Sequence, residues 1–302
     1  MSLISKLIVS TLPFVPKPIV GFFARPYIAG EKLEDGIRVV KELNAKGILA
    51  TMDVLGEDVK SREEVMDMRR QCEGVLHAIH AHGLDANLSV KPTQMGLSLD
   101  ERLCEENLRA LLDVAKGYGN FIRIDMEDHP FTDQTIALYK RLRCDYRGHV
   151  GVVLQAYLRR TAGDLKALIE DGPTNIRLCK GIYVEPEEIA FKKRSEVQDS
   201  FKALLEYAIP NDVYVGIATH DDVLLNHAIE LVKRHGLERD DYEFQMLLGV
   251  RVRRRDEIVA MGHRLRVYVP FGDRWYAYST RRLKENPSVA MHIVKAIFGI
   301  GQ

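Results

Sequence analysis

Residues 86–126 read ANLSVKPTQMGLSLDERLCEENLRALLDVAKGYGNFIRIDM and hold one full turn of a pattern that the chain repeats. A short β-rich run, ANLSVK (86–91), leads into an amphipathic stretch with helical spacing, DERLCEENLRALLDVAKGYG (100–119), and then into a second β-rich run, FIRIDM (121–126). Apolar residues every three to four positions line one face of a helix, whereas compact β-rich runs suit buried strands. The same alternation extends outward on both sides. GILATMD (47–53) and the helical REEVMDMRRQCEGVLHAIHAH (62–82) come before it. VGVVLQA (150–156), NIRLCK (175–180), VYVGIAT (213–219), YEFQMLL (242–248) and LRVYVP (265–270) come after. Gly83, Gly117, Gly236 and Gly262 follow helical stretches, where a left-handed cap is wanted. No linker or low-complexity break divides the series. Eight strands alternating with helices predict an α/β fold with a parallel sheet, and eight units close a (β/α)8 barrel. An open doubly wound sheet would carry a glycine-rich turn after its first strand, and GxGxxG occurs nowhere. The expected organisation is an N-terminal helical arm, 1–46, whose residues 31–46 look helical, followed by a barrel over 47–302.

Composition narrows the partners. Apolar residues make up 46% of the 302, enough for the core of one large domain. Lys+Arg and Asp+Glu each number 43, so no net field gathers nucleic acid or an anionic surface. Cys72, Cys104, Cys144 and Cys179 form no CxxC pair and no disulfide framework, which suits reduced thiols in a cytoplasm. The apolar N-terminus, MSLISKLIVSTLPFVPKPIVGFF, is interrupted by Pro13, Pro16 and Pro18, whereas a membrane-spanning helix needs ~20 largely unbroken apolar residues. It also lacks a small-residue cleavage site, so a buried or surface-lying arm is expected.

In barrels the active site lies at the C-terminal ends of the strands. Polar residues recur there: Asp53, Lys91, Asp125, Gln155, Arg177 with Lys180, Thr219 with His220, and Tyr268. Each taken singly reads equally as a strand end meeting solvent or capping a helix. Arg123 and Arg177 lie inside β-runs and require a partner or ligand, because an unpaired buried charge is costly. The segment RVYVPFGDRWYAYSTRRLKENP (266–287) places Arg281 and Arg282 side by side after Tyr268, Trp275, Tyr276 and Tyr278. Two guanidiniums can clamp a carboxylate and aromatics can wall an apolar ring, although an adjacent arginine pair also suits a solvated helix face. His77, His80 and His82 lack converging thiols or carboxylates, so no metal is expected. Arg251, Arg253, Arg254 and Arg255 read as a solvated turn, and Cys179 as core packing.

These residues carry a resemblance. LSVKPTQMG (88–96), IRIDMED (122–128), VVLQAYLRR (152–160), IRLCKGIYVEP (176–186), ATHD (218–221), EFQMLLGVR (243–251) and VYVPFGDRWYAYSTRRLKENP (267–287) run in order over nearly the whole chain. The sequence resembles the proline dehydrogenase family in its monofunctional bacterial form. Ile182 stands where the family more often has Ala, and Pro92 where Leu is commoner. The resemblance implies a distorted barrel whose last helix lies over the mouth, placing Arg281 and Arg282 above a flavin to hold the substrate carboxylate. It implies that Lys91 adds charge to that carboxylate, that Asp125 is the acidic active-site residue ion-paired to Lys91 or an arginine, and that Tyr183, Tyr268 and Leu247 flank the substrate ring. For FAD it implies Met126, Gln155, Arg177, Lys180, Gly181, Ile182, Thr219 and His220, with Arg177 beside the reactive N5 edge. The implied reaction is hydride transfer from L-proline to flavin N5, giving Δ1-pyrroline-5-carboxylate, with electrons passed to a membrane quinone. The apolar arm offers a seat for that acceptor, at the inner face of the membrane. Two other readings use the same residues. One is a barrel aldolase with Lys91 or Lys180 as Schiff-base nucleophile; the other is a non-catalytic amino-acid-binding barrel.

Overall fold

Helical spacing and β-rich runs alternate in the folded chain as they do in the sequence. The structure is a computed structural model that describes residues 20–21, 24–56, 59–276 and 278–279. Arg281, Arg282 and the expected helix over the mouth lie outside the described residues. A first helix, α1 (Leu33–Asn44), precedes the repeat of strand and helix: β1 (Leu49–Val54), α2 (Arg62–Ala81), β2 (Ala86–Val90), α3 (Glu101–Gly117), β3 (Ile122–Ile124), α4 (Thr132–Asp145), β4 (Val150–Gln155), α5 (Thr161–Glu170), β5 (Asn175–Cys179), α6 (Arg194–Ala208), β6 (Tyr214–Ala218), α7 (Asp222–Arg234), β7 (Tyr242–Leu247), α8 (Val252–Ala260) and β8 (Leu265–Phe271). The strands form one closed parallel barrel in chain order, with β8 returning beside β1 so that Tyr268 stands opposite Thr51.

Local chemistry explains the element ends. Ser61 caps α2 through the Glu64 N–H, Asp100 caps α3 through the Arg102 N–H, and Asp221 caps α7 through the Val223 N–H. Gly83, Gly236 and Gly262 take the left-handed positions expected of them, at φ 57°, 62° and 91°. Gly117 does not. It ends α3, and the left-handed residue is Gly119 at φ 64°, because the helix runs on before it turns. The solvated turn expected of the arginines after β7 holds at exposed Arg251 only; Arg253, Arg254 and Arg255 lie within the following helix, and Arg255 is buried. Arg251 precedes α8 and pairs with Asp222 at 2.6 Å, while Arg254, inside α8, bonds to Glu257 at 2.9 Å and Asn226 at 2.5 Å. His77 bonds to the Tyr118 hydroxyl at 2.9 Å and His80 stacks on the same ring at 4.0 Å.

Alternate side chains along a strand point to opposite faces, and here the faces differ in kind. Met52, Leu88, Ile124, Val152, Ile176, Ile217, Phe244 and Val267 point outward and join the helices in one hydrophobic core. Inward-facing side chains are polar and buried: Thr51, Asn87, Ser89, Arg123, Arg177, Glu243, Gln245 and Arg266. They bond between strands, as Thr51 does to Asn87 on the adjacent strand at 2.6 Å and Arg123 of β3 to the Asn175 side chain of β5 at 2.5 Å. Helix α1 covers the seam between β8 and β1, where Val40 and Leu43 are buried and Gly36 lets the helix come down on Met52 and Phe271. Among the described residues no helix is long and apolar enough to cross a membrane.

Candidate active site

The C-terminal ends of the strands converge on Asp125, one residue beyond β3. Its Oδ1 accepts from Ser89 Oγ and from Arg177 Nη1, each at 2.7 Å, and its Oδ2 accepts from Tyr268 Oη at 3.1 Å. Lys91 Nζ lies 3.9 Å from the same Oδ2 and donates to both Asp53 oxygens, at 3.2 and 3.3 Å. Two carboxylates thus face two cations at the mouth. Burial pushes the Asp53 carboxyl above its ordinary range, with Lys91 drawing it part of the way back. Burial and the neighbouring charges of Asp125 and Asp53 raise the Tyr268 phenol well above its ordinary value, so this hydroxyl acts as a neutral donor. The Arg177 guanidinium lies over the Tyr268 ring, 5.3 Å from its centroid, and its Nε donates to Gln245 Oε1 at 2.5 Å.

A second group lines the rim from β4 to β7. Gln155 ends β4; its Nε2 donates weakly to the Met126 carbonyl at 3.4 Å, and its buried Oε1 has no partner among the described residues. After β5, Gly181 turns at φ 102° directly over the Tyr157 ring, so that any side chain there would run into the aromatic. The turn leaves bare backbone, and the Ile182 side chain is exposed while Tyr183 is half-buried. Glu185 ties this loop to its neighbours: its carboxylate accepts from the His129 N–H at 2.8 Å and from Tyr157 Oη at 3.4 Å. Lys180 lies 3.6 Å from Asp221, which also holds Arg194 and Gln198, each at 2.9 Å. Burial alone would raise the Asp221 carboxyl, but Gln198, Arg194 and Lys180 outweigh it and hold it low. Thr219 is buried beside them, and His220 Nε2 accepts the Leu247 N–H at 2.9 Å, which leaves the ring proton on Nδ1.

The residues singled out from the sequence therefore form two neighbouring sets on one rim. Asp125, Arg177, Lys91 and Tyr268 touch one another, while Met126, Gln155, Lys180, Gly181, Ile182, Tyr183, Thr219, His220 and Leu247 flank them. Sequence reasoning missed Ser89, Gln245 and Glu243. The run YEFQMLL alternates polar with apolar residues, and that period of two marks Glu243 and Gln245 as inward-facing. It also missed Asp221 as a helix cap, although an aspartate directly before a helical run is the usual cap signature.

The family model for proline dehydrogenase matches residues 37–294. Proline dehydrogenase 1 of Bacillus subtilis subsp. natto is 39% identical over 274 residues, covering 91% of this chain and 90% of that protein. Proline dehydrogenase of Deinococcus radiodurans is 36% identical over 278 residues, covering 91% and 89%. In fold, the chain is similar to proline utilization A (PutA) from Bdellovibrio bacteriovorus inactivated by N-propargylglycine, with a TM-score of 0.84 at 23% identity over 93% of this chain. It spans 36% of that longer chain. The matched region runs from within α1 to beyond β8, and both relatives align along about nine-tenths of their length, so the chain belongs to the proline dehydrogenase family.

Proposed function

We propose that this oxidoreductase converts L-proline to Δ1-pyrroline-5-carboxylate using a tightly but non-covalently held FAD. The observation that carries the reading is the Asp125–Arg177–Lys91–Tyr268 cluster on the C-terminal rim, beside the buried acceptor Gln155 Oε1, which has no partner among the described residues. That acceptor suits the ring N–H of a flavin, and Gly181 lies on the same rim. Lys180, Thr219 and His220 supply a cation and polar groups for ribityl and pyrophosphate oxygens, with Met126 and Ile182 completing the cofactor side.

When bound, the flavin supplies the acceptor for the hydride that leaves the carbon next to the proline nitrogen. Arg177 sets a fixed cation where negative charge builds during that transfer, an electrostatic role that needs no reorganisation. Asp125 keeps Arg177 and Lys91 in place through the contacts described above. Lys91, together with Arg281 and Arg282, holds the substrate carboxylate, and Tyr183, Tyr268 and Leu247 wall its ring. Electrons then pass to a quinone, with the apolar N-terminal segment as the contact for it, in a protein working in the cytoplasm or peripherally at the inner face of the membrane. A Schiff-base reading needs a desolvated, neutral amine, whereas Lys91 Nζ is held by Asp53 and faces Asp125, and Lys180 is partly exposed and faces Asp221 at 3.6 Å. A binding barrel without flavin would leave Gln155 Oε1 unexplained.

The purified protein is expected to be yellow, to release FAD into the supernatant on acid precipitation, and to bleach when L-proline is added without oxygen. A protein that stays colourless after reconstitution with FAD, or whose colour ignores proline, removes this reading.

A further inference from the structure

Below the mouth, Arg177 is gripped from a second side. Asp125 engages its Nη1 at 2.7 Å and Gln245 its Nε at 2.5 Å. A planar guanidinium with one contact can swing about it, whereas two contacts fix its plane. The Gln245 amide is fixed in turn. Its Nε2 donates to Glu243 Oε1, which also accepts from Arg266 Nε at 2.8 Å, and Arg266 Nη1 is anchored on the Ala50 carbonyl at 2.7 Å. Arg177 Nε can only donate. Burial would raise the Glu243 carboxyl, but Arg266, Gln245 and Arg123 outweigh it and hold it down to about 2, so this carboxylate can only accept. Donor on one side and acceptor on the other leave the amide a single orientation. The lumen keeps space for it: Gly216 stands opposite Arg177 on one side and Glu243 on the other. A methyl on Gly216 would press on that amide, reaching its Cδ at 2.9 Å.

We propose that Gln245 is a positioning residue, which, braced by Glu243, fixes the direction in which Arg177 points at the mouth. Its effect on the reaction rests on the reading that Arg177 faces the flavin. Two variants test it from different directions. Gln245→Met removes the amide while keeping the bulk. Gly216→Ala leaves every polar group in place and displaces the amide from the neighbouring strand. The Nε–H resonance of Arg177, assigned by its disappearance in Arg177→Lys, should shift and broaden in both. The reduction potential of bound FAD should move negative, because the cation that stabilises reduced flavin is no longer held. We expect kcat to fall roughly tenfold, about 1.4 kcal/mol, with KM within about twofold.

A folded Gln245→Met protein with a wild-type Arg177 resonance and potential overturns the proposal. Should that variant fail to fold, Gly216→Ala decides by the same two signals. If the wild-type protein binds no FAD, the functional reading fails, and the Arg177 resonance still judges the role of Gln245.

Discussion

Lys91 Nζ stands between the carboxylates of Asp53 and Asp125, and its side chain is only 8% exposed. Removing one partner of a buried pair leaves the other charge uncompensated, at a cost of about 3–5 kcal/mol. Lys91→Met should lose stability on that scale in urea denaturation, and adding Asp53→Asn to the same chain should restore much of it. The sign with pH follows from Asp53, whose carboxyl burial already raises. Without Lys91 it rises further, so the loss should be greatest at neutral pH and shrink as falling pH protonates the group. Equal losses in single and double variants would show that Asp53 is not the partner that matters. Asp125, Arg177, Lys91 and Tyr268 could be picked from the sequence because each sits at or near a strand's C-terminal end. The pairing of Asp125 with Lys91 or an arginine came only with the family resemblance, since which inward side chains meet depends on the stagger between strands, and no single strand encodes that. Ser89 and Gln245 escaped for the same reason: Ser89 reaches Asp125 from the neighbouring strand, and Gln245 reaches Arg177 from the next strand but one.

At the scale of elements, Asp221 joins three of them. It caps α7, holds Arg194 and Gln198 of α6, and faces Lys180 just beyond β5. Asp221→Ala should cost about 0.5–2 kcal/mol through the cap alone and should also weaken FAD binding, because Lys180 loses its tether. Asn caps a helix as well as Asp does, so Asp221→Asn should recover most of the stability and little of the FAD affinity. Thermal unfolding and FAD titration separate the two, and an Asn variant that restores both would make Asp221 a cap and nothing more. The strand and helix series was legible because both periodicities are strong, as in residues 100–119. The turn positions were less so. Gly117 and Gly119 differ in sequence only by position, and where a helix stops is settled by its last backbone hydrogen bonds.

Over the whole molecule, the helices supply the apolar core while the lumen is filled with bonded charge, where barrels more often carry branched apolar residues. Acid should therefore undo the fold from within. Glu243, held down to about 2 from an ordinary 4.5, contributes stability that is fully present above pH 4.5 and is lost as pH falls through the folded value. By linkage this is on the order of 3 kcal/mol. Denaturant titrations at a series of pH values should show wild type descending through that window. Glu243→Gln should start lower at pH 7 and meet it near pH 2, while parallel curves would place the acid limb elsewhere. The seam under α1 has a consequence in time. The Arg266 guanidinium reaches the Ala50 carbonyl across 216 residues. At roughly 5–20 residues per second, a ribosome takes on the order of ten to forty seconds to make that intervening chain. For that interval β1 lacks its neighbour on one side and the apolar face of α1 lacks its cover from β8, so the nascent chain carries an open strand edge and bare apolar surface until β8 emerges.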